Sequence, residues 1–434
     1  MDLNKGTYYG LWWLPENFDQ KISGTLTFDE NGDAIFFTLD SFEKSNAKSF
    51  TESWGQYDLI LGMATSMKDG KDYSLKLYSV YQIQKKEQVF SKSKFKVPTV
   101  IIGAINTEEV GDSFKSLMLF SSIWHRWVRN TSLKRKSLFN DSQTKFGYTY
   151  EYVQPDLVTL YKNEGDCIYV YYRASTSHTI EGITTLEEQA YLNFDLTKPR
   201  GLKEVIRLKT SLDRFFMILW ESPHTFSNCE VGSKYGTDFT VYGNPPKPNN
   251  RFVDNYKFKN FVTDSQELIT SWFSKNEEYN FLINTFFFAY NGYKLDVENK
   301  FLNIVFALEL FHRKLFKDQE PLSAKNERMS QKVMEEVKSA DTKSWLMSIL
   351  NKGSNISFSK RLNELISSID DGESLKFSDA IIDRIKKTRH YLVHLDEKHL
   401  ENRLTPKELV DINDNLSKLM LKLLKKEIFE YKKA

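Results

Sequence analysis

The stretch Gly243-Asn-Pro-Pro-Lys-Pro-Asn-Asn250 constrains this chain more than any other. Three prolines flanked by Gly and Asn can continue neither a helix nor an internal strand, because proline lacks the N–H that both ladders need. The architecture is therefore expected to change there. On the N-terminal side apolar residues alternate in short runs, and on the C-terminal side they recur at helical spacing.

The runs Gly24 to Phe28 and Ala34 to Leu39 flank Asn31-Gly32, a pair that tolerates positive φ and so predicts a hairpin. Further strands are predicted at Tyr57 to Gly62, Tyr73 to Ile83, Thr99 to Ile105, Phe114 to Phe120, Tyr148 to Val153, Cys167 to Arg173, Gln189 to Phe194 and Phe239 to Tyr242. Turns are expected at Lys68-Asp-Gly70 and around Gly111. The N-terminal third reads as a sandwich or barrel. The strands beyond it read as a second β-rich unit or the remainder of one large domain, with Leu202 to Trp220 a helix leading into a strand. Trp124 and Trp127 could form a base-stacking platform, but tryptophans at i and i+3 favour one buried helical face. Of Trp12 and Trp13, neighbours on a strand, one is expected to be exposed. Lys134-Arg135-Lys136 reads as a solvated loop.

After the junction, helices are predicted at Ser265 to Ser274, Glu277 to Tyr290, Val297 to Phe316, Ala324 to Val337, Trp345 to Leu350, Ser359 to Ile369, Ser378 to Leu395 and Pro406 to Tyr431. Asp264 or Ser265, Ser378 and Thr405-Pro406 supply start signals. The fold class expected is α+β multidomain: a β-rich region over residues 1–250 and an all-α bundle over 251–434.

A chain of 434 residues, 40% hydrophobic and 14% aromatic, can bury sizeable cores in two or three domains. Sixty basic residues against 58 acidic ones nearly cancel, so a nucleic-acid site has to be a local patch. Lysines from Lys418 to Lys433 read as a solvated face. Two cysteines, Cys167 and Cys229, make no disulfide framework and fit a reducing cytoplasm. The N-terminus lacks a signal-peptide pattern, and the most apolar helix, Phe301 to Phe311, is too short to span a bilayer, so no membrane partner is expected.

The residue types most suited to chemistry gather in Arg384-Ile-Lys-Lys-Thr-Arg389-His390-Tyr-Leu-Val-His394. Ile381, Ile385, Thr388, Leu392 and Leu395 form an apolar stripe at helical spacing, which leaves His390 and His394 off it, with Lys386 and Lys387 beside them and Arg389 on the flank. Histidine titrates near neutrality and can take a proton from a ribose 2'-hydroxyl or give one to a leaving 5'-oxygen. Arginine can fork two N–H donors onto a phosphate. As a bare pattern, an arginine followed after four to six residues by a histidine is weak, with roughly 0.7 such pairs expected by chance. Arg173 to His178 repeats the spacing inside a strand-like run.

Context adds weight. Arg389-His390-Tyr-Leu-Val-His394, late in a helical region, resembles the R-x4-6-H signature of HEPN ribonucleases, and Ala307-Leu-Glu309-Leu-Phe-His312-Arg313 resembles an earlier helix of that superfamily. Gly10-Leu-Trp12-Trp13-Leu-Pro15, with the two runs after it, resembles the opening of ApeA-type antiphage defence proteins, whose β-rich N-terminal domain precedes an Apea-like HEPN domain. His390 stands where the family commonly has asparagine. The resemblance implies a metal-independent endoribonuclease with no cofactor, acting in abortive antiphage defence in the cytoplasm. Arg389 and His394 would be catalytic, and His390 and Glu309 supporting. Arg384, Lys386 and Lys387 are the candidates for RNA contact. It further implies a homodimer formed through the HEPN bundles and a phage-derived trigger sensed by the N-terminal region. Helix geometry agrees with the dimer: residues five apart differ by about 140° and about 7.5 Å of rise, an awkward reach for one compact site.

Three alternatives stay open from the residues. Glu309 could orient a catalytic arginine or histidine, or simply pair with Arg313 one turn on. The bundle could be a non-catalytic binding or dimerisation module. His390 and His394, at i and i+4, could instead ligate a metal, although no Glu stands between them as in H-E-x-x-H.

Overall fold

A computed structural model describes residues 6–29, 33–40, 42, 55–87, 91–103, 113–128, 133–139, 146–178, 184–233, 238–243, 256–291, 295–316, 324–353, 356–369, 375 and 377–430. The junction at 244–250, the Asn31-Gly32 turn and the turn around Gly111 lie outside them. The chain divides into two compact units, 1–270 and 271–434.

The first unit opens with β1 (Thr7–Leu14), β2 (Asn17–Phe28), β3 (Ala34–Thr38), β4 (Gln56–Ser66), β5 (Asp72–Glu87) and β6 (Ser91–Val97). Every neighbouring pair is antiparallel, and because β5 pairs with both β4 and β6 the six strands close into a barrel. Closure removes the open edges that an isolated sheet would expose. Tyr8, Trp12, Leu26, Phe36, Ile60, Leu77 and Phe95 fill the interior. Trp12 fits because Gly62 faces it on β4: a Cβ there would stand 2.2 Å from the indole. Trp13 is buried as well, packed at 5.5 Å against Phe18, so the expectation that one of the two tryptophans is exposed fails. Both faces of β1 are covered at that point.

β5 is long because it serves two sheets. Its residues 74–78 pair with β7 (Thr99–Gly103), and its residues 81–87 pair with β6. β4 runs along one edge of β5 on both sides of Ser79, which takes φ 55, a left-handed conformation placed where the other edge changes partner from β7 to β6. From β7 an open sheet runs on through β15 (Asp238–Gly243), β14 (Asn228–Ser233), β8 (Phe114–Phe120), β13 (Thr184–Arg200) and β12 (Cys167–His178) to β11 (Val158–Lys162). β9 (Leu133–Phe139) and β10 (Phe146–Tyr152) form a separate hairpin. The expected loop Lys134-Arg135-Lys136 is therefore strand, with Lys136 paired to Glu151 at 2.9 Å. Three consecutive charged residues followed by Ser137 interrupt the apolar alternation by which a strand is read.

Two helices cover this sheet. On α1 (Ser122–Val128), Trp124 and Trp127 are buried against Phe216, Phe258 and Phe261, and the Trp127 indole donates to the Tyr256 carbonyl at 2.6 Å. They are core, as the buried-face reading expects. Residues 202–220 form one continuous helix, α2 (Leu202–Trp220), with no strand in its second half. Phe215, Phe216, Met217, Ile218, Leu219 and Trp220 are all buried, and a helix apolar on every side near its end has the same short-run pattern as a strand.

Past α2, Asp213 holds the loop by accepting from the Phe226 backbone N–H at 2.9 Å and the Lys209 ammonium at 2.7 Å. This encloses His224 between Trp220 and Phe226, with ring centroids at 4.6 and 4.8 Å. Burial, then the Lys209 charge, pushes the imidazole from 6.5 down to about 3. Between those values the unfolded chain binds a proton that the folded chain refuses, so stability falls as pH drops below about 6.5. From neutrality to about pH 5 the first unit is expected to lose about 2 kcal/mol through His224. Denaturant titrations at both pH values should show that loss shrinking in His224→Phe; an equal loss in the variant assigns it elsewhere.

The unit boundary falls within α3 (Phe258–Glu278). That helix starts ahead of Asp264 and Ser265, which therefore do not cap it. The second unit continues with α4 (Asn280–Asn291), α5 (Val297–Leu315), α6 (Ala324–Glu336), α7 (Ala340–Gly353), α8 (Phe358–Ser367), α9 (Asp379–His394) and α10 (Pro406–Lys425). On α5, Phe301, Ile304, Val305, Ala307, Leu308 and Phe311 are buried in its core. On α10, Leu409, Ile412, Leu416, Leu419, Met420 and Leu423 face the core, and the buried Asn413 amide donates to the Val297 carbonyl at 3.0 Å. Lys418 lies exposed beside that stripe. Among the described residues no helix is long and apolar enough to cross a membrane.

Candidate functional site

α9 begins where Ser378 accepts from the Ile381 N–H, the expected cap. Its buried face is Ile382, Ile385 and Thr388, with Ile381 and Leu392 only partly covered. The expected stripe is thus rotated by part of a turn. Leu395, its last expected member, is 72% exposed and takes φ 53 as the left-handed residue that ends the helix. A leucine in that conformation has no sequence signature, since glycine or asparagine usually takes the place.

Thr388 anchors the segment after the helix. Its hydroxyl donates to the Arg384 carbonyl at 2.7 Å and accepts from the Leu404 N–H at 2.8 Å, tying the returning chain to α9. Within that return, residues 397–399 form a 3-10 turn started by Asp396. His399 is thereby folded back onto α9, with its ring centroid 4.9 Å from that of His390. His394, exposed in the last turn of α9, has its ring centroid 4.7 Å from that of His390. The structure brings together three histidines where the sequence suggested two. Burial, then the charges of His399 and His394, pushes the His390 imidazole below the ordinary histidine value. One ligand atom each from His390, Asp396 and His399 lie within 4.8 Å of one another, so these three, rather than His390 with His394, could hold a metal.

Arg389 reaches α5. Its Nε lies 2.7 Å from Glu309 Oε1, and Nη2 donates to Oε2 at 3.1 Å. Glu309 is buried, so the pair is largely shielded, and the guanidinium also stands over the Phe358 ring at 5.7 Å. Such a contact fixes the direction of a side chain that is otherwise flexible. Three residues on, His312 is fully buried. Arg361 Nη1 lies 3.1 Å from its Nδ1 and Glu364 Oε2 lies 2.6 Å from its Nε2. Arginine can only donate, so Nδ1 is the acceptor and Nε2 carries the proton toward Glu364. α5 therefore holds α9 through Glu309 and α8 through His312. Sequence reasoning had no role for His312, because its two partners lie about 50 residues away.

Of the residues considered for RNA contact, Lys386 is exposed and Lys387 pairs with Asp383 at 2.7 Å. Arg384 reaches Glu408 with two nitrogens at 2.7 and 2.8 Å and the Arg403 carbonyl at 3.2 Å. Glu408 is also the third residue of the Thr405 capping box on α10, and the Arg384 hydrogen bond holds its carboxyl at about 2, well below the usual range. Arg384 thus ties α9 to the start of α10.

Two family models match. One, described as ApeA N-terminal domain 1, covers residues 7–264, and another, described as Apea-like HEPN, covers residues 302–431. No curated protein and no solved structure gives a match.

Proposed function

The chain belongs to the ApeA N-terminal domain 1 family and ends in an Apea-like HEPN domain, and from that premise we propose that this ApeA-type defence protein is a metal-independent endoribonuclease of abortive infection, working in the cytoplasm. The observation that carries this reading is Arg389 held by buried Glu309 on the helix that ends in exposed His394. Two guanidinium nitrogens meet Glu309, which leaves the third able to face a phosphate. The His394 imidazole takes the proton of a ribose 2'-hydroxyl, and that oxygen attacks the adjacent phosphorus. Arg389 meets the charge that builds on the phosphoryl oxygens, the bond from phosphorus to the 5'-oxygen breaks, and a second imidazole protonates the leaving oxygen.

The second imidazole comes from a second copy of the chain. Arg389 and His394 stand five residues apart on one helix and do not share a face, whereas two bundles meeting at α9 would place both pairs in one cleft. HEPN domains typically dimerise. His390 positions His394, and Lys386 and Lys387 supply local positive charge for RNA. We assign sensing of a phage-derived trigger to the N-terminal unit. Its barrel bears an open, mostly apolar cleft of about 820 Å³ lined by the exposed Tyr9, Leu11, Phe37 and Leu39.

A cleavage assay and a phage challenge test the two halves. Purified full-length protein is expected to cut RNA in excess chelator, leaving a 2',3'-cyclic phosphate or its hydrolysis product and a 5'-hydroxyl. An RNA with a 2'-deoxy sugar at the cut position should resist. Strict dependence on added divalent metal, or 3'-hydroxyl and 5'-phosphate ends, would contradict the mechanism. In that assay Tyr9→Ser with Leu11→Ser should keep the cleavage chemistry, while in a separate phage challenge cells carrying it should lose protection; unchanged protection would remove the sensing role from the cleft.

A further inference from the structure

We propose that His390, Asp396 and His399 form a binding site for a divalent transition-metal ion of the class that prefers imidazole and carboxylate ligands, zinc being the natural probe. Three independent features of the chain converge there. Their ligand atoms lie within 4.8 Å of one another, and all three residues are half-buried. The left-handed residue Leu395 and the 3-10 turn after it are what fold Asp396 and His399 back onto α9, so the cluster is built by backbone geometry. Finally, His390 Nδ1 is buried without a hydrogen-bond partner among the described residues, so the protein itself leaves this imidazole short of a partner.

The chemistry of the set is specific enough to name a class. Two imidazoles and one carboxylate on a single ion leave further positions open and suit zinc and its neighbours over magnesium or calcium, which favour all-oxygen sites. Zinc holds such ligands at about 2.0–2.2 Å, so the three atoms would need to close to roughly 3.3 Å from one another. Side-chain rotation supplies that movement, with Asp396 releasing Lys398, which it now meets at 2.6 Å.

Occupancy has a consequence that rests on the ribonuclease reading above. The ion would lock His390 and set positive charge beside His394, whose ring is 4.7 Å from His390. Metal at this position therefore inhibits the metal-independent cleavage, which makes the cluster a brake on the active site.

The full-length protein, stripped of metal, is titrated with Co²⁺ and followed by its visible d–d absorption. One ion per chain should bind and be displaced by Zn²⁺. His399→Gln and Asp396→Asn should each weaken binding by at least about 10-fold with unchanged circular dichroism, while His178→Gln in the N-terminal unit leaves it unaltered. Absence of stoichiometric binding, or equal affinity in His399→Gln and Asp396→Asn, overturns the site. Zn²⁺ should also slow RNA cleavage by the parent and leave His399→Gln unaffected; inhibition that survives in His399→Gln overturns the brake. The cobalt titration needs no activity, so a parent that fails to cut RNA in chelator counts against the ribonuclease reading alone.

Discussion

Replacing His394 with alanine is expected to lower RNA cleavage by about 10³-fold while the melting temperature of the C-terminal unit stays put. The magnitude reflects the role of the imidazole, since proton transfer by a positioned side chain contributes roughly 10²–10⁴-fold. The unchanged stability reflects its place: His394 is exposed in the last turn of α9, and surface substitutions of that kind usually lie within about 0.5 kcal/mol of neutral. Arg389 needs a different substitution. Alanine there would strand buried Glu309, whereas lysine keeps a cation for Glu309 and loses the planar fork. Arg389→Lys should therefore melt near the parent and still lose about 10²-fold in cleavage rate. Full activity in either variant, or loss that tracks unfolding, would remove these residues from the site.

Glu309→Ala should give the second largest effect, and it should show in both stability and rate. Removing the carboxylate leaves the Arg389 guanidinium facing a largely apolar helix. Because that side chain is one-third exposed, water screens part of the penalty, and a loss of about 1–3 kcal/mol is expected. For a unit of this size that corresponds to melting roughly 3–10 °C lower. Well below the melting transition the rate should still fall by roughly 10²-fold, because an arginine displaced by even about 1 Å misses the developing charge. The defect should sit in kcat with KM little changed. Glu309→Gln, which can still accept one hydrogen bond, should recover part of it. A variant that melts lower yet cuts at the parental rate would reduce Glu309 to a packing residue.

Much of the fold was legible because alternation and helical spacing are strong over long runs. The Asn-Gly pair sits between strands that do pair as neighbours, and Ser378 and Thr405-Pro406 cap the helices expected of them. The features that escaped depend on distant partners or on unusual backbone. Nothing in the run 72–87 announces that one edge of the strand changes partner at a left-handed Ser79, and a leucine as the left-handed end of α9 contradicts the usual preference. The candidate site divides in the same way. Arg389, His390 and His394 stand close together in sequence and were visible, and Glu309 stood out as a carboxylate in an apolar helix. Asp396 and His399 were hidden because only the turn at Leu395 brings them near. The buried His312, Arg361 and Glu364 were hidden because their partnership spans α5 and α8.

The central claim, that the motif at the end of α9 cuts RNA, is tested most directly by mapping RNA ends in bacterial cells after brief expression of the full-length parent and of His394→Ala. The parent should generate new 5'-hydroxyl ends at recurrent positions, and His394→Ala, at equal abundance, should generate none. An identical set of ends in both strains, or none in either when phage is present, would contradict it.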